Sequence, residues 1–331
     1  MKILVTGATG FLGKRLALRL SQLGYEVTAT GRNTLVGADL EKQGICFIKS
    51  ALQDTDKIIN VCKNQDYVFH CGALSSPWGK YKDFYNTNVL GTKNIIQGCK
   101  ENSVKRLIHV STPSIYFDFK DKLNISEKDP LPDKSVNAYA KTKLLAEQEI
   151  DKAHQEGLPV ISIRPRAIFG PGDTSILPRL IKANNKNFIP VIGDKKVLVD
   201  ITYVENVVDA LLLCKDSPDF TLGKKYNITD GEPVLLYDFL ELVITELGYE
   251  FKPKYFSYNN AYRIAAFSEF VSKTFLFGKE PVLTRYTVGV LGTSQTLDIS
   301  AAKQELGYNP KFSTTEGIKE LIKERRINNA G

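Results

Sequence analysis

Thr6-Gly7-Ala8-Thr9-Gly10-Phe11-Leu12-Gly13 is the stretch whose reading decides the fold. Ahead of it, Lys2-Ile3-Leu4-Val5 reads as a buried strand; behind it, Leu12, Leu16, Leu20 and Leu23 recur at helical spacing until Gly24. The glycines therefore sit on a strand-to-helix turn. Gly7 can take the backbone angles of a tight turn, Gly10 lets a pyrophosphate approach the main chain, and Gly13 lets helix and strand pack closely. The helix N-terminus offers unpaired N–H groups and a positive dipole end to phosphates. A glycine triplet alone often marks only a turn; between a strand and an amphipathic helix it points to dinucleotide binding.

Working outward, Val27-Thr28-Ala29-Thr30 is a second strand, closing on Gly31-Arg32-Asn33. In a dinucleotide fold this is where the adenosine ribose lies, and an acid there binds the free 2′-hydroxyl while repelling a 2′-phosphate. Here Gly31 leaves space and Arg32 supplies a cation. That favours NADP(H), with NAD(H) possible; the plain alternative is a solvated surface arginine. Further strands are expected at residues 45–48, 67–71, 107–110 and 160–163, with helices at 54–62, 83–100 and about 137–156. Such alternation means an α/β protein, a doubly wound parallel Rossmann sheet. Residues 118–135, rich in Asp, Lys and Pro, read as a loop. Beyond Gly170-Pro171-Gly172-Asp173 the pattern loosens, with a strand at 197–201 and a helix at 204–213 returning to the sheet. The expected division is a nucleotide-binding domain of residues 1–170 plus about 197–230, and a smaller C-terminal substrate-binding lobe of about 171–196 and 231–331.

Composition narrows the function. With 43% apolar residues among 331 a sizeable core can form. The net charge of +7 comes from 44 basic and 37 acidic residues that are interleaved, so no concentrated basic face for nucleic acid stands out. Cys46, Cys62, Cys71, Cys99 and Cys214 show no paired spacing, and His70, His109 and His154 are too scattered in sequence for a zinc pattern. Buried free thiols and no metal are expected. The first strand begins at residue 2 and no uncharged apolar run has membrane-spanning length, so the expected location is cytoplasmic.

Tyr139 and Lys143 stand one helical turn apart, so they share a face. A tyrosine ordinarily titrates near pH 10, and a neighbouring ammonium favours its phenolate. The pair is thus an acid/base with the cation that tunes it, although by itself this spacing is common. What singles it out is its place after the fifth strand, whose C-terminal end carries the hydroxyls Ser111, Thr112 and Ser114. Ligands of such sheets bind outside those strand ends.

These motifs together resemble the extended short-chain dehydrogenase/reductase superfamily, the NAD-dependent epimerases and dehydratases. The likeness spans Thr6 to Gly13, Asn88-Val89-Leu90-Gly91-Thr92, Ser111 to Tyr116, Tyr139 to Lys143, Arg164-Pro165, Phe169-Gly170-Pro171-Gly172 and Asp200 to Ala210. It implies a catalytic triad of Thr112, Tyr139 and Lys143, with Asn88 supporting the site. Ser111 and Ser114 are left as neighbours of open role. It also implies coenzyme contacts from Gly7, Thr9, Gly10, Phe11, Leu12 and Gly13, from Arg32 and Asn33, and from Tyr139, Lys143 and Pro165. One departure is Ala51, where the family often has an acid against adenine, with Asp54 further on. Pro77 to Tyr85, Pro165 to Gly170 and Leu283-Thr284-Arg285-Tyr286 are similar to the 3β-hydroxysteroid dehydrogenase-like branch, in particular to bacterial 2-alkyl-3-oxoalkanoate reductases of olefin synthesis.

The expected reaction is NADPH-dependent reduction of a ketone in a small-molecule substrate. Alternatives on the same scaffold are an NDP-sugar epimerase or dehydratase and a sterol carboxylate 3-dehydrogenase; a non-catalytic nucleotide sensor would not need the tyrosine and lysine. Arg164 or Arg166 could pair a substrate carboxylate, while a salt bridge closing the strand is the structural alternative for Arg164. In residues 261–277, Ile264, Phe267, Phe270 and Val271 share a helical face largely opposite Ser268, Glu269, Ser272 and Lys273. That stripe would be buried in the small lobe, line a pocket for alkyl chains, or make a peripheral membrane or partner contact. A homodimer is the expected assembly.

Overall fold

Seven apolar runs form one parallel sheet: β1 (Lys2–Thr6), β2 (Glu26–Gly31), β3 (Cys46–Lys49), β4 (Tyr67–His70), β5 (Arg106–Val110), β6 (Val160–Pro165) and β7 (Lys225–Ile228). The computed structural model describes residues 1–173, 176–186, 188–194 and 196–329. Across the sheet the order is β7-β6-β5-β4-β1-β2-β3, and every neighbouring pair is parallel. The chain starts in the middle and winds outward in both directions. Such sheets carry helices on both faces, and Ile3, Leu4 and Val5 on one face or the other are wholly buried. Between β1 and β4 the winding reverses, which opens a crevice at the C-terminal strand ends. The glycine turn leaves β1 directly into it.

The helix Phe11–Gln22 buries Leu12, Leu16 and Leu20 as its spacing requires, whereas Leu23 is its exposed C-cap. A helix at Thr34–Lys42, absent from the sequence reading, begins at Asn33, whose side chain accepts from Leu35 and Val36 N–H. The helix Ala138–Gln155 is capped by Asn137, which accepts from Ala140 N–H at 2.8 Å. Asp54 caps Thr55–Val61 through Lys57 N–H. The expected helix at 83–100 is three pieces: Tyr81–Phe84, a widened π-helical turn Tyr85–Leu90, and Gly91–Glu101. Residues 118–135 are not all loop, because Lys122–Ile125 is an edge strand of a second, four-stranded sheet with Gln295–Leu297, Leu198–Val199 and Val234–Leu235.

The C-terminal lobe pairs Ile189–Ile192 with Pro253–Phe256 and packs the helix Tyr258–Phe275 against Arg285–Gly292. Here the sequence reading of a buried stripe is overturned. Ala261, Ala265, Glu269 and Ser272 face inward, and Ile264, Phe267 (69% exposed) and Phe270 face out. Small residues let the two helices approach, and Glu269 is drawn in by Arg285, which it holds through both the backbone N–H (2.7 Å) and Nε (2.9 Å). The large apolar side chains are left outside, continued by Phe275, Leu276 and Phe277. Among the described residues no helix is long and apolar enough to cross a membrane. All five cysteines are free; Cys62, Cys99 and Cys214 are buried, Cys71 is half-buried, and Cys46, contrary to expectation, is exposed.

Candidate active site

At the glycine turn each residue has a steric reason. Gly7 lies at φ +67°, and a Cβ there would meet Gly72 Cα at 2.5 Å. A Cβ at Gly13 would stand 2.3 Å from the Gly7 carbonyl oxygen. Gly10 is exposed, with only that same oxygen nearby at 3.2 Å, so its open side can receive a ligand. Gly10 supplies no side-chain cap to the helix, and the first turn holds no acid. Thr9, Phe11 and Leu12 surround this opening in sequence, and the arrangement suits a pyrophosphate on the helix N-terminus. Gly31 has a steric reason of its own: a Cβ there would sit 2.4 Å from Thr9 Oγ1. Arg32 and Asn33 next to it are exposed, although the Asn33 side chain is committed to its helix cap.

The helix Ala138–Gln155 carries Tyr139 and Lys143 past the end of β5. Lys143 is 2% exposed; its ammonium donates to Val110 O (2.8 Å) and to His109 Nε2 (3.1 Å). His109 must therefore carry its proton on Nδ1, which faces Ser162 Oγ at 3.3 Å. Burial pushes the Lys143 ammonium down to about 8, a shift that Glu147 one turn on opposes. Burial raises the Tyr139 phenol, against which the hydroxyls of Thr112 and Ser75 work by favouring the phenolate. Thr112 caps the short turn Pro113–Tyr116, accepting from Ser114 N–H at 3.2 Å and donating to Ser114 Oγ at 3.1 Å. Ser114 Oγ in turn lies 3.3 Å from Tyr286 OH. Ser111 instead faces Glu147. So of the three hydroxyls considered, Thr112 is the one against Tyr139.

Asn88, in the widened turn, holds the site's walls together. It accepts from Leu74 N–H (2.7 Å) and donates to Leu74 O (3.2 Å) and to Thr142 Oγ1 (3.1 Å), tying the Ser75 loop to the Tyr139 helix. π-helical turns of this kind recur at functional sites. A second thread runs to the glycine turn. Thr6 Oγ1 accepts from Gly72 N–H and donates to His70 Nδ1 (2.8 Å); His70 Nε2–H donates to Thr92 Oγ1 (3.0 Å), which donates to Asn88 O (2.6 Å). Burial pushes His70 down to about 3, so it is the neutral tautomer this chain of bonds needs.

The two histidines are not scattered in space: their rings stack at 5.7 Å. All four ring nitrogens are nevertheless engaged, by Thr6, Thr92, Ser162 and Lys143. Sequence reasoning missed His109, Ser75 and Tyr286 as site residues. Tyr286 comes from the far lobe, where Thr284 caps its helix by accepting from Thr287 N–H and Arg285 is clamped to Glu269. The signal was present in Leu283-Thr284-Arg285-Tyr286, without a partner to give it meaning. Trp78 Nε1 donates to Gly278 O at 2.8 Å, joining the same lobe to the Ser75 loop. Pro165 is buried at the end of β6, and Ala51 follows β3. Arg164 is spoken for: it pairs with Glu147 through Nε (2.9 Å) and Nη2 (2.6 Å), and its Nη1 donates to Tyr116 OH.

Residues 3–229 match the NAD dependent epimerase/dehydratase family. The 2-alkyl-3-oxoalkanoate reductase of Stenotrophomonas maltophilia is 33% identical over 326 residues, which is 97% of this chain and 98% of that protein. The 3beta-hydroxysteroid-dehydrogenase/decarboxylase isoform 1 of Arabidopsis thaliana is 33% identical over 346 residues, 96% of this chain and 78% of that one. The crystal structure of UDP-glucuronic acid 4-epimerase from Bacillus cereus in complex with NAD superposes with a TM-score of 0.77 and 22% identity over 99% of each chain, a likeness of fold. Strand order, glycine turn and sequence relatives agree: the chain belongs to the NAD-dependent epimerase/dehydratase family and is an NAD(P)-dependent oxidoreductase acting on CH–OH groups.

Proposed function

We propose that this enzyme reduces the ketone of an apolar β-keto acid, of the 2-alkyl-3-oxo type, to the secondary alcohol with NADPH. The observation that carries the reading is Tyr139 backed by Thr112, with Lys143 one turn behind, at the strand ends beside the glycine turn. The coenzyme, when bound, supplies a hydride to the carbonyl carbon. Tyr139 donates its phenolic proton to the carbonyl oxygen, and Thr112 turns its hydroxyl proton from Ser114 Oγ to hold that oxygen. Lys143 keeps one ammonium proton beyond those given to Val110 and His109, and in this reading its charge favours the phenolate left behind, although in the structure Thr112 and Ser75, not Lys143, are what counter the rise of the Tyr139 phenol. Residues 1–170 with about 197–230 hold the coenzyme in this reading, and about 171–196 with 231–331 receive the substrate. The substrate class rests on the names of the sequence relatives; sterol carboxylate dehydrogenation and NDP-sugar epimerisation are the competing reactions. Incubation with NADPH or NADH and a panel of 2-alkyl-3-keto acids, β-ketoesters, a sterol carboxylate and UDP-sugars separates them. Oxidation of NADPH with the keto acids is expected. Epimerisation of a UDP-sugar with no net change in coenzyme, and no ketone turnover, would overturn the reading.

The same assay measures coenzyme choice. A charge-assisted contact between Arg32 and a 2′-phosphate contributes about 1.5–3 kcal/mol, so NADPH should bind at least about tenfold more tightly than NADH. Arg32→Ala should bring the two together. Gly31→Asp is the wrong probe, since its Cβ would collide with Thr9. Equal affinities in the wild type at matched salt would remove the NADP preference.

Because the stripe on Tyr258–Phe275 faces outward, it does not line a pocket for alkyl chains. We assign it instead to peripheral contact with an anionic lipid surface: Phe267, Phe270 and the 99% exposed Phe277 lie among exposed Arg263, Lys273 and Lys279. Vesicles containing phosphatidylserine should co-sediment the wild type and lose Phe267→Asp/Phe277→Asp, while neutral vesicles retain little of either. Equal sedimentation of both proteins would leave this row without a lipid role. The working form is taken as a cytoplasmic homodimer, which sedimentation velocity would show as twice the chain mass.

A further inference from the structure

Among the described residues, Arg166 is a buried arginine near the site that forms no ion pair and whose Nε has no hydrogen-bond partner. It follows the C-terminal end of β6, where bound substrates of this sheet type lie. Its backbone is fixed on both sides: Arg166 N–H donates to Ile228 O at 3.1 Å, and Thr202 Oγ1 donates to Arg166 O at 2.5 Å. Ala167 beside it is held at φ +42°, a conformation that non-glycine residues seldom take and that collects at functional sites. The Arg166 side chain is only 7% exposed, its Nε has no hydrogen-bond partner, and among the described residues it forms no ion pair. Arg164, two residues earlier, shows what a structural arginine looks like here, with Glu147 and Tyr116 satisfying it.

We propose that Arg166 is the anion subsite for the substrate carboxylate. The proposal rests on the ketone-reduction reading and adds which charged group of the substrate is recognised, and by what. A buried guanidinium stays ionised at any ordinary pH, so its unmet charge calls for an anion. Burial depresses it while the neighbouring Tyr286 and Asp200 counter that effect. Asp200 is the only carboxylate among these neighbours, and it is turned to Leu297 N–H at 2.6 Å, with burial raising it to about 6. Its charge acts on Arg166 from a distance, and among the described residues no ion pair or hydrogen bond joins the two. Tyr286 is the link to the chemistry: its hydroxyl touches Ser114, Ser114 touches Thr112, and it neighbours both Arg166 and Tyr139. A 3-oxo acid has one carbon between its carbonyl and its carboxylate. With the carbonyl oxygen at Tyr139 and Thr112, the carboxylate falls toward Tyr286 and Arg166.

The test compares a 2-alkyl-3-oxo acid with its methyl ester in the wild type, Arg166→Met and Arg166→Lys. The wild type should prefer the acid; in Arg166→Met the acid-to-ester ratio of kcat/KM should fall at least about tenfold, mostly through KM, and Arg166→Lys should restore part of it. The ligand-free Arg166→Met protein should melt at the wild-type temperature or above, because an unmatched buried charge is gone. Equal losses on acid and ester, or a lower melting temperature of the free variant, would make Arg166 structural and overturn the proposal. A binding arm keeps this separate from the reaction: decanoate should raise the melting temperature of the wild type and not of Arg166→Met, whether or not any ketone is reduced. Equal stabilisation of both proteins by decanoate would also overturn it. Failure of the wild type to reduce acid or ester would sink the reductase reading alone.

Discussion

Tyr139→Phe is expected to lower kcat for ketone reduction by about 100- to 10,000-fold, the range over which a positioned proton donor acts. Coenzyme affinity should change little, because the substitution removes one oxygen from a ring that stays in place. Lys143→Ala should weaken turnover and coenzyme binding together. The pH profile follows from the same two groups. Reduction needs Tyr139 protonated and Lys143 charged. Burial raises the first and pushes the second down to about 8, so kcat/KM should be level below about pH 8 and fall above it as Lys143 loses its proton. Unfolding through this lysine does not mimic that loss. Its folded value lies below the ordinary one of about 10.5, so the unfolded chain holds the extra proton in between and stability from this group rises across that window. Near-wild-type turnover by Tyr139→Phe, or activity that climbs through pH 9, would contradict the proton path.

Glu147→Ala should destabilise the protein by about 3–5 kcal/mol, because it strands a buried guanidinium. Arg164 and Glu147 side chains are 4% and 2% exposed and meet through two hydrogen bonds. Burial alone would raise the Glu147 carboxyl, but Arg164 outweighs it and holds the group below the usual carboxylate value. The sign is then clear: this contribution is complete above the unfolded value of about 4.3 and is lost only as pH falls through the lower folded value. Arg164→Met/Glu147→Leu, which removes both charges, should be much closer to wild type in urea denaturation. A single Glu147→Ala variant as stable as wild type would show that the pair is not what closes β6 onto the helix. Because Glu147 also supports the charge on Lys143, the activity of any folded Glu147→Ala protein should begin to fall at lower pH.

Much of this protein is written in near-neighbour spacing. A strand, three glycines and an amphipathic helix are local features, so the turn, its steric demands and the parallel sheet could be read without a fold. Tyr139 and Lys143 are also local, since one helical turn brings them to one face wherever the helix lies. The family resemblance drew on the same short motifs, and the comparisons agree with it. Tertiary structure decided what depends on partners distant in the chain. Arg164 and Arg166 are indistinguishable as letters; only the placement of Glu147 and Tyr116 satisfies one and leaves the other unmatched. His70 and His109 looked unrelated until β4 and β5 paired in register and stacked their rings. Tyr286 needed a second lobe to reach Ser114. The stripe of Ile264, Phe267 and Phe270 is plain in the sequence, but periodicity reports that two faces differ, not which one finds a neighbour. Close approach through Ala261 and Ala265, with the Arg285 clamp on Glu269, turned the polar side inward.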